Sequence, residues 1–156
     1  MLEDLNIKIE KKTQKKRYIK PDSVKELERI HFERKKENHS TVPFLVETKF
    51  RDDSANGLTK TIIAWLKLNG HFGARINTTG TYNAKLGKYI HSGSRRAMAD
   101  ISAVVNGRHV SIEVKHGRDR MRTEQLKVKS EVEASGGVYI VASTFDNFLE
   151  QIKKYL

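Results

Sequence analysis

The chain has 156 residues, and its 30 Lys and Arg against 19 Asp and Glu give a formal net charge of +11. It contains no cysteine, which excludes disulfide scaffolds and thiolate zinc sites. It also lacks an apolar run long enough to cross a bilayer and the apolar core of a signal peptide. We therefore expect an intracellular protein, in the cytoplasm or at the nucleoid. The length suits one ordinary domain, and the basic excess favours a polyanionic partner, either nucleic acid or an acidic membrane surface.

The N-terminal residues predict a basic arm followed by a helix. Residues 1–20 are charged and mostly basic with little apolar content, which indicates either a solvated tail or an electrostatic contact to a phosphate backbone. Ser23 and Glu26 have the spacing of a capping box, and a helix is expected over about 24–36. Its apolar stripe is narrow, so this helix should be largely exposed or docked on a partner.

The segment after this helix predicts a boundary. Residues 41–50 contain Pro43 and alternate loosely, which is typical of an extended segment or an edge strand. The compact core is expected to begin near residue 51. The chain therefore divides into a basic N-terminal arm and helix (1–50) and a domain (51–156).

The domain is predicted to begin with a helix and a strand. Asp53 or Ser54 is placed to cap a helix that ends near Asn69-Gly70. The core face of this helix is expected to carry Leu58, Ile62, Trp65 and Leu66. A strand follows over about 72–77, and Arg75 and Asn77 share one of its faces.

Residues 78–99 are the least regular part of the domain. They combine glycines, hydroxyls and tyrosines with the basic side chains Lys85, Lys88, Arg95 and Arg96. A loop of this length in a compact domain is usually functional or disordered, and this residue set is the usual one for phosphate contacts. A flexible surface loop is the alternative, but the segment leads directly to an acidic residue, which favours the functional interpretation.

Residues 100–115 predict a β-hairpin. Two β-branched runs are joined by Asn106-Gly107, and this dipeptide favours a type I′ turn because both of its central residues require positive φ. A two-residue loop of this kind fixes the register, so that Val105 pairs with Arg108.

The predicted register brings two acids together. Asp100 lies across from Glu113, with Cβ atoms roughly 4.5–5.5 Å apart. Lys115 projects from the same face as Glu113, and the alternate residues Val110, Ile112 and Val114 face the core. Adjacent carboxylates repel unless a cation lies between them, so the arrangement suits a divalent cation beside a lysine. An ordinary amphipathic hairpin with a surface Glu–Lys pair would give the same local pattern.

A helix, a strand and a last helix complete the chain. The first of these is predicted over about 121–135, stopped by Gly136-Gly137, with one face formed by Met121, Gln125, Val128 and Val132. Gln125 is therefore expected to point inward near the end of the hairpin, or else to lie at the rim in contact with water. Residues 138–142 predict a buried strand parallel to its neighbour, and Ser143 or Thr144 caps the last helix.

This order of elements and residues resembles the PD-(D/E)XK nuclease superfamily, most closely its VRR-NUC branch. The resemblance covers roughly residues 54–145 and is carried by Asp100, Glu113-Val114-Lys115, Gln125 and Gly136-Gly137. The fold it implies is α/β with a restriction-endonuclease-like core of order α-β-β-β-α-β, in which helices flank a mixed sheet. The basic N-terminal helix would be an extension of that core.

The resemblance implies a metal-dependent DNA endonuclease that hydrolyses phosphodiester bonds and leaves a 5′-phosphate. Asp100 and Glu113 would bind Mg²⁺ or Mn²⁺, with the Val114 carbonyl as a third oxygen ligand. The ion would act as a Lewis acid and lower the pKa of its bound water. Lys115 would orient or activate that water, and Gln125 would position the water or the lysine. A homodimer is expected because members of this branch can pair into dimers that suit branched DNA. The shape of the DNA stays open between a branched junction or flap, a nick and a plain duplex.

The nucleic acid is expected to contact basic and polar side chains near the two acids. These are Arg75, Asn77, Lys85, Lys88, Arg95, Arg96 and His116. The six histidines have no spacing typical of metal ligands, so we expect no histidine metal site.

One position departs from the family pattern. Members of this branch usually carry a carboxylate early in the first core helix, where Asn56 is the nearest match, with Asp53 as a substitute if the helix starts early. A neutral ligand would bind a second metal more weakly.

Two alternative functions remain beside the nuclease. The first, which follows from the neutral Asn56, is a weak or inactive nucleic-acid-binding module of the same fold. The second is a protein-interaction or membrane-surface module that uses the helix at 24–36. The nuclease interpretation, which we favour, has DNA as its partner and no membrane.

Overall fold

The computed structural model describes residues 17–77, 80–90, 93 and 95–156. Most of the predicted basic arm (1–16) and parts of the predicted loop (78–79, 91–92 and 94) lie outside these residues. The helices are α1 (Asp22–Asn38), α2 (Ala55–Leu68), α3 (Thr123–Ala134) and α4 (Phe145–Ile152), and a short 3₁₀ turn follows at Lys153–Tyr155. The strands are β1 (Phe72–Arg75), β2 (Thr81–Asn83), β3 (Lys88–Ile90), β4 (Ile101–Val105), β5 (Arg108–Val114) and β6 (Val138–Ala142).

The protein is an α/β structure built on a mixed sheet of four strands in the order β1-β4-β5-β6. β1, β4 and β5 are antiparallel neighbours, whereas β6 runs parallel to β5. The main core lies on one face of the sheet, where α1, α2 and α4 pack, and a smaller cluster under α3 lies on the other face. The α/β class, the mixed sheet and its flanking helices are therefore confirmed.

The central hairpin has the predicted turn and register. Asn106 and Gly107 have φ of 47° and 78°, as a type I′ turn requires. Val105 pairs with Arg108, and the ladder continues to the pair Ile101–Ile112. Because the register holds to its end, alternate residues of both strands point to the main core, and Glu113 points to the face that α3 covers. The core residues are Ile101, Ala103 and Val105 on β4 and Val110, Ile112 and Val114 on β5.

Two glycines allow α2 to lie close to its neighbours. The Ser54 hydroxyl caps the helix by accepting a hydrogen bond from the Gly57 N–H at 3.1 Å. A Cβ at Gly57 would lie 2.7 Å from the Arg51 carbonyl oxygen, and a Cβ at Gly73 would lie 2.7 Å from Leu66 Cδ1. The first contact involves rigid backbone, so it tolerates less adjustment than the second.

Gly57→Ala is expected to lower the free energy of unfolding by about 1–3 kcal/mol because the new methyl group overlaps the Arg51 carbonyl. Helix propensity alone predicts the opposite sign, since alanine favours a helix over glycine by about 1 kcal/mol. Urea denaturation measures the difference. The exposed Lys67→Ala in the same helix is the control, expected to stay within about 0.5 kcal/mol of the parent. A Gly57→Ala protein as stable as the parent would contradict this packing.

The α1 helix begins earlier than predicted and contributes to the main core. Its N-cap is Pro21, with φ of −61° and no side-chain cap, so the predicted Ser23 capping box is wrong. Proline already has the φ that a helix start requires, so the helix begins directly after it. Val24 and Leu27 are buried in the same core as Phe50, although most other residues of α1 are exposed or half-buried.

The residues that surround α1 are tied to the domain by hydrogen bonds. The Tyr18 hydroxyl donates to Asp52 Oδ1 at 2.7 Å, and Asp52 Oδ2 accepts from the Phe145 N–H at 3.1 Å. Glu28 accepts from the Phe50 N–H at 2.6 Å. Residues before position 51 therefore contact residues after it, although the sequence analysis placed the start of the compact core there. Residues 41–50 form no strand, so the edge-strand alternative is wrong.

The long predicted loop contains a small hairpin that the sequence did not predict. β2 and β3 pair in a separate two-stranded sheet, with Tyr82 opposite Tyr89 and ring centroids 5.3 Å apart. Asn83 Oδ1 accepts hydrogen bonds from the backbone of Lys85 and Leu86, and this side chain closes the turn.

Candidate active site

The end of the central hairpin holds Asp100 against the backbone of β5. Asp100 Oδ2 accepts a hydrogen bond from the Val114 N–H at 2.9 Å, and the Asp100 carbonyl accepts one from the Ile76 N–H at 2.8 Å. The first bond replaces the backbone partner that Val114 would have if β4 continued. The carboxylate is thereby fixed next to the last residues of β5, where Glu113 and Lys115 follow each other on one face.

Glu113 is almost fully buried, with 3% of its surface exposed. Its Oε1 lies 2.9 Å from Lys115 Nζ and accepts a hydrogen bond from Gln125 Nε2 at 2.5 Å. Its Oε2 is also buried but has no hydrogen-bond partner among the described residues. Leaving a buried charged oxygen unpaired is costly, so this atom marks a position where a positive ligand would be stabilised.

Burial raises the pKa of Glu113 above the ordinary glutamate value, and the negative charge of Asp100 raises it further. Lys115 and Gln125 lower the pKa, but the net direction is upward. The protein groups around Glu113 therefore shift its preference towards the neutral form, compared with a glutamate in water. A divalent cation next to the two carboxylates would reverse that preference.

Lys115 and Gln125 belong to the same network. Lys115 is 8% exposed, and its Nζ donates to Gln125 Oε1 at 3.0 Å and to Asp119 Oδ2 at 3.3 Å. Gln125 lies in the first turn of α3, where its Oε1 also accepts from the Arg122 N–H at 3.0 Å. The sequence correctly placed Gln125 facing inward at the hairpin end. Its fixed amide determines which oxygen of Glu113 is occupied and which is left open.

A cavity of about 480 Å³ opens beside this network, and Asp100, Gln125, Arg96, Arg122, Ala97 and Met98 are among the residues that line it. Arg96 was a predicted nucleic-acid contact, and it lines the same cavity as Asp100. Ala97 has φ of +60°, which is uncommon for a residue with a Cβ. Such strain is often found at functional sites, because it holds neighbouring side chains in one direction.

The other predicted site residues fall into two groups. Arg75 donates to Asn56 Oδ1 at 2.8 Å, which joins the start of α2 to the end of β1 near Asp100. His116 is exposed and its charge lowers the pKa of Asp53, after the larger effect of the Arg51 hydrogen bond. In the second group, the described residues Arg95, Lys85 and Lys88 make no bond to the network. Arg95 forms a salt bridge with Glu131 at 2.6 Å, Lys85 lies in the turn between β2 and β3, and Lys88 begins β3. Asn77 is exposed just beyond β1.

The sequence analysis missed Tyr139, Arg122 and Asp119. Tyr139 is 7% exposed, and its hydroxyl has no hydrogen-bond partner within the described part of the chain. Burial raises its pKa, and the charges of Glu113 and Asp100 raise it further, so the phenol remains neutral near both carboxylates. The parallel register, which pairs Ser111 with Tyr139, places it on the face of Glu113.

Tyr139→Phe is expected to leave the free energy of unfolding unchanged or raise it slightly, because the lost hydroxyl has no partner among the described residues. Tyr18→Phe is the matched control, since it removes a hydroxyl bonded to Asp52 and should cost about 1 kcal/mol. Denaturant titration of both variants without added metal measures the contrast. Equal losses in the two variants would show that the Tyr139 hydroxyl is bonded in the folded protein.

The donor atoms of this site fit a hydrated divalent cation of the Mg²⁺ type. Two carboxylates and the backbone at Val114 supply hard oxygen atoms, and Mg²⁺ usually keeps several waters beside one or two carboxylates. Across the described ranges, no group of three or more His, Cys, Asp or Glu side chains is arranged to hold a metal ion. Any ion would therefore rely on Asp100, Glu113, backbone oxygen and water.

Comparisons with known proteins add no family assignment. No protein-family model matches the sequence, and no curated protein is significantly similar to it. Membership of the PD-(D/E)XK superfamily stays a prediction. Among the helices formed by the described residues, none has both the length and the apolar character that crossing a bilayer would require.

Proposed function

We propose that this protein is a metal-dependent DNA endonuclease of the PD-(D/E)XK type, that is, a deoxyribonuclease that hydrolyses phosphodiester bonds. The observation that carries the proposal is the unpartnered, buried Oε2 of Glu113, which lies in the field of Asp100 while Lys115 and Gln125 occupy Oε1. A structural ion pair would need only Glu113 and Lys115. The extra carboxylate and the open oxygen are explained by a cation.

Asp100 and Glu113 would hold Mg²⁺ or Mn²⁺, with the Val114 carbonyl as a further oxygen. When bound, such an ion supplies Lewis-acid polarisation of the scissile phosphate. Asp100 Oδ2 accepts the hydrogen bond from the Val114 N–H, so Asp100 Oδ1 is the oxygen that would bind the ion. Glu113 lies within β5, and Asp100 immediately precedes β4 and is tied to β5 by the Val114 hydrogen bond, which supports an accurate geometry.

Lys115 and Gln125 would act on the nucleophile and the phosphate. Hydrolysis adds a water oxygen to phosphorus and breaks the bond to the 3′ oxygen, which takes a proton and leaves a 5′-phosphate on the other product. The three N–H donors of Lys115 already have three acceptors, so donation to the attacking water or to a phosphoryl oxygen would replace one of them, and the 3.3 Å contact with Asp119 is the longest. Gln125 is a positioning residue, because it fixes both Lys115 and Glu113.

The charge of the protein supports a nucleic-acid substrate. The net charge of +11 favours a polyanion, and Arg96 and Arg122 line the cavity that contains Asp100. The small hairpin adds Lys85 and Lys88 next to the exposed Tyr82 and Tyr89. Selectivity for branched or flap DNA and assembly into a homodimer belong to the same proposal.

A second candidate function is nucleic-acid binding without turnover. Asn56 stands where the resembled branch has a carboxylate, and its Oδ1 already accepts a hydrogen bond from Arg75. That oxygen is neutral and engaged, so it offers little to a second ion. Catalysis here would depend on one metal, and a site that needs two would be inactive.

A cleavage assay distinguishes the two functions. A labelled four-way junction, a flap and a plain duplex are incubated with Mn²⁺, Mg²⁺ or EDTA. We expect metal-dependent cleavage that falls by about 10²–10³-fold in Asp100→Asn and persists in Asp146→Asn, an exposed carboxylate in α4. Salt-sensitive binding of all three DNAs without cleavage would favour the binding module. Cleavage that is equal in EDTA or in Asp100→Asn would overturn the nuclease assignment.

A further inference from the structure

A second cationic feature lies on the helical side of the sheet, opposite to α3. It is a groove of about 630 Å³ between α1 and α2, called here the α1–α2 groove, whose rim carries Arg34 and Lys35 on α1 and Lys60 and Lys67 on α2. Its floor is apolar, with Phe50, Ile63, Ala64 and Leu68. None of the described residues that line it is acidic.

The cations of the groove are available to a ligand. Lys60 and Lys67 are exposed, and their ammonium groups make no hydrogen bond or ion pair with another described residue. Arg34 has only a distant contact with Glu37 at 3.7 Å, and both side chains are more than half exposed. Lys35 donates to the Val46 carbonyl at 2.9 Å, which leaves its charge uncompensated. Like charges on two facing helices repel, so an anion between them would stabilise the pair.

The shape of the groove favours an extended polyanion over a single small anion. Lys60 and Lys67 are seven residues apart, which corresponds to about 10 Å along the helix axis, so their ammonium groups can contact separate phosphates of one strand. The cations instead form two rows with an apolar floor between them. A trough between neighbouring helices, whose axes are usually about 8–10 Å apart, is too narrow for a duplex but accommodates one strand.

We propose that the α1–α2 groove binds a single nucleic-acid strand, with its phosphates at the cationic rim and its sugar and base faces against the half-buried Ile63 and Leu68. This arrangement is the reverse of a membrane-surface helix, in which apolar side chains project beyond the cations. Binding here requires no metal and no cleavage, so it does not depend on the proposed nuclease activity. A strand held here lies on the opposite side of the sheet from Glu113.

The test uses the full chain in EDTA and a fluorescent oligothymidylate of about 20 nucleotides, with anisotropy measured over a series of salt concentrations. The variant Lys60→Gln/Lys67→Gln removes two rim charges. Lys153→Gln/Lys154→Gln, in the C-terminal 3₁₀ turn, is the matched control with the same change in net charge. Circular dichroism checks that both remain folded.

We expect the groove variant to bind the oligonucleotide about tenfold more weakly than the control. The slope of log binding constant against log salt should fall by about 1.4, since each phosphate contact on a single strand contributes about 0.7. Equal affinities and slopes in the two variants would overturn the proposal. So would a variant that loses binding to vesicles of acidic phospholipid but keeps oligonucleotide binding. Metal-dependent cleavage of a short duplex should be unchanged in both variants, so failure of the groove and failure of the nuclease assignment are separable.

Discussion

Replacing Glu113 with glutamine is expected to abolish metal-dependent cleavage while making the metal-free protein more stable at neutral and mildly alkaline pH. The loss of activity should be at least about 10²–10³-fold, because an amide oxygen is a much weaker ligand for a hard cation than a carboxylate. The gain in stability follows from the raised pKa of Glu113, since folding buries its charged form next to Asp100. The two effects have opposite signs and can be measured on the same sample.

The pH dependence of the free energy of unfolding tests the raised pKa of Glu113 independently. The pKa of Glu113 is higher in the folded than in the unfolded protein, so the folded state binds more protons. The stabilising contribution is present below the unfolded value of about 4.3 and is lost as pH rises through the folded pKa. Glu113→Gln lacks this dependence, so its advantage over the parent should increase with pH and then level off.

Thermal unfolding in EDTA and in Mn²⁺ separates these contributions. The parent should be stabilised by Mn²⁺, because an ion that binds only the folded state adds to the free energy of unfolding. Glu113→Gln should start from a melting temperature a few degrees higher in EDTA, at roughly 2–4 °C for each 1 kcal/mol, and should not respond to Mn²⁺. Glu150→Gln, at an exposed position of α4, controls for the loss of a negative charge. A destabilised Glu113→Gln that still cleaves DNA would identify Glu113 and Lys115 as a structural ion pair.

The predicted parts of the site are those that depend on local sequence. Asn106-Gly107 sets a turn within the chain, and a two-residue turn fixes every pair of the hairpin up to Ile101 and Ile112, which adjoin Asp100 and Glu113. The helical repeat of α3 places Gln125 on the inward face in the same way. These inferences needed no knowledge of how distant segments meet.

Tyr139 was missed because its role depends on a distant strand. An apolar run such as 138–142 does not tell which residues point to which face, since both faces of a parallel strand are covered. Only the pairing of β6 with β5 puts Tyr139 on the face of Glu113. The β2–β3 hairpin was missed for another reason: its strands have three residues each, which is too short for a clear alternation.

Lys115→Met is expected to lower the cleavage rate by about 10²–10³-fold while leaving metal binding intact or tighter. Methionine has a similar length, so the change removes the ammonium from a buried position without leaving a large cavity. Lys115 is the cation closest to Glu113, at 2.9 Å, and it competes with a metal for the charge of that carboxylate. Its removal makes the group around Asp100 and Glu113 more negative, which strengthens attraction to a divalent ion.

Calorimetric titration with Mn²⁺ and single-turnover cleavage, performed on the same variant, distinguish a lysine that acts on the reaction from one that only supports the fold. A catalytic Lys115 gives retained Mn²⁺ affinity with lost turnover, whereas Glu113→Gln loses both. Lys129→Met on α3, where the lysine lies 3.9 Å from Glu133, is the control and should change neither quantity. If Lys115→Met cleaves DNA at the parental rate, then Lys115 neither orients the nucleophile nor stabilises the phosphate. The roles proposed for Lys115 and for its positioning residue Gln125 would then both fail, because Gln125 acts on the reaction through Lys115 and Glu113.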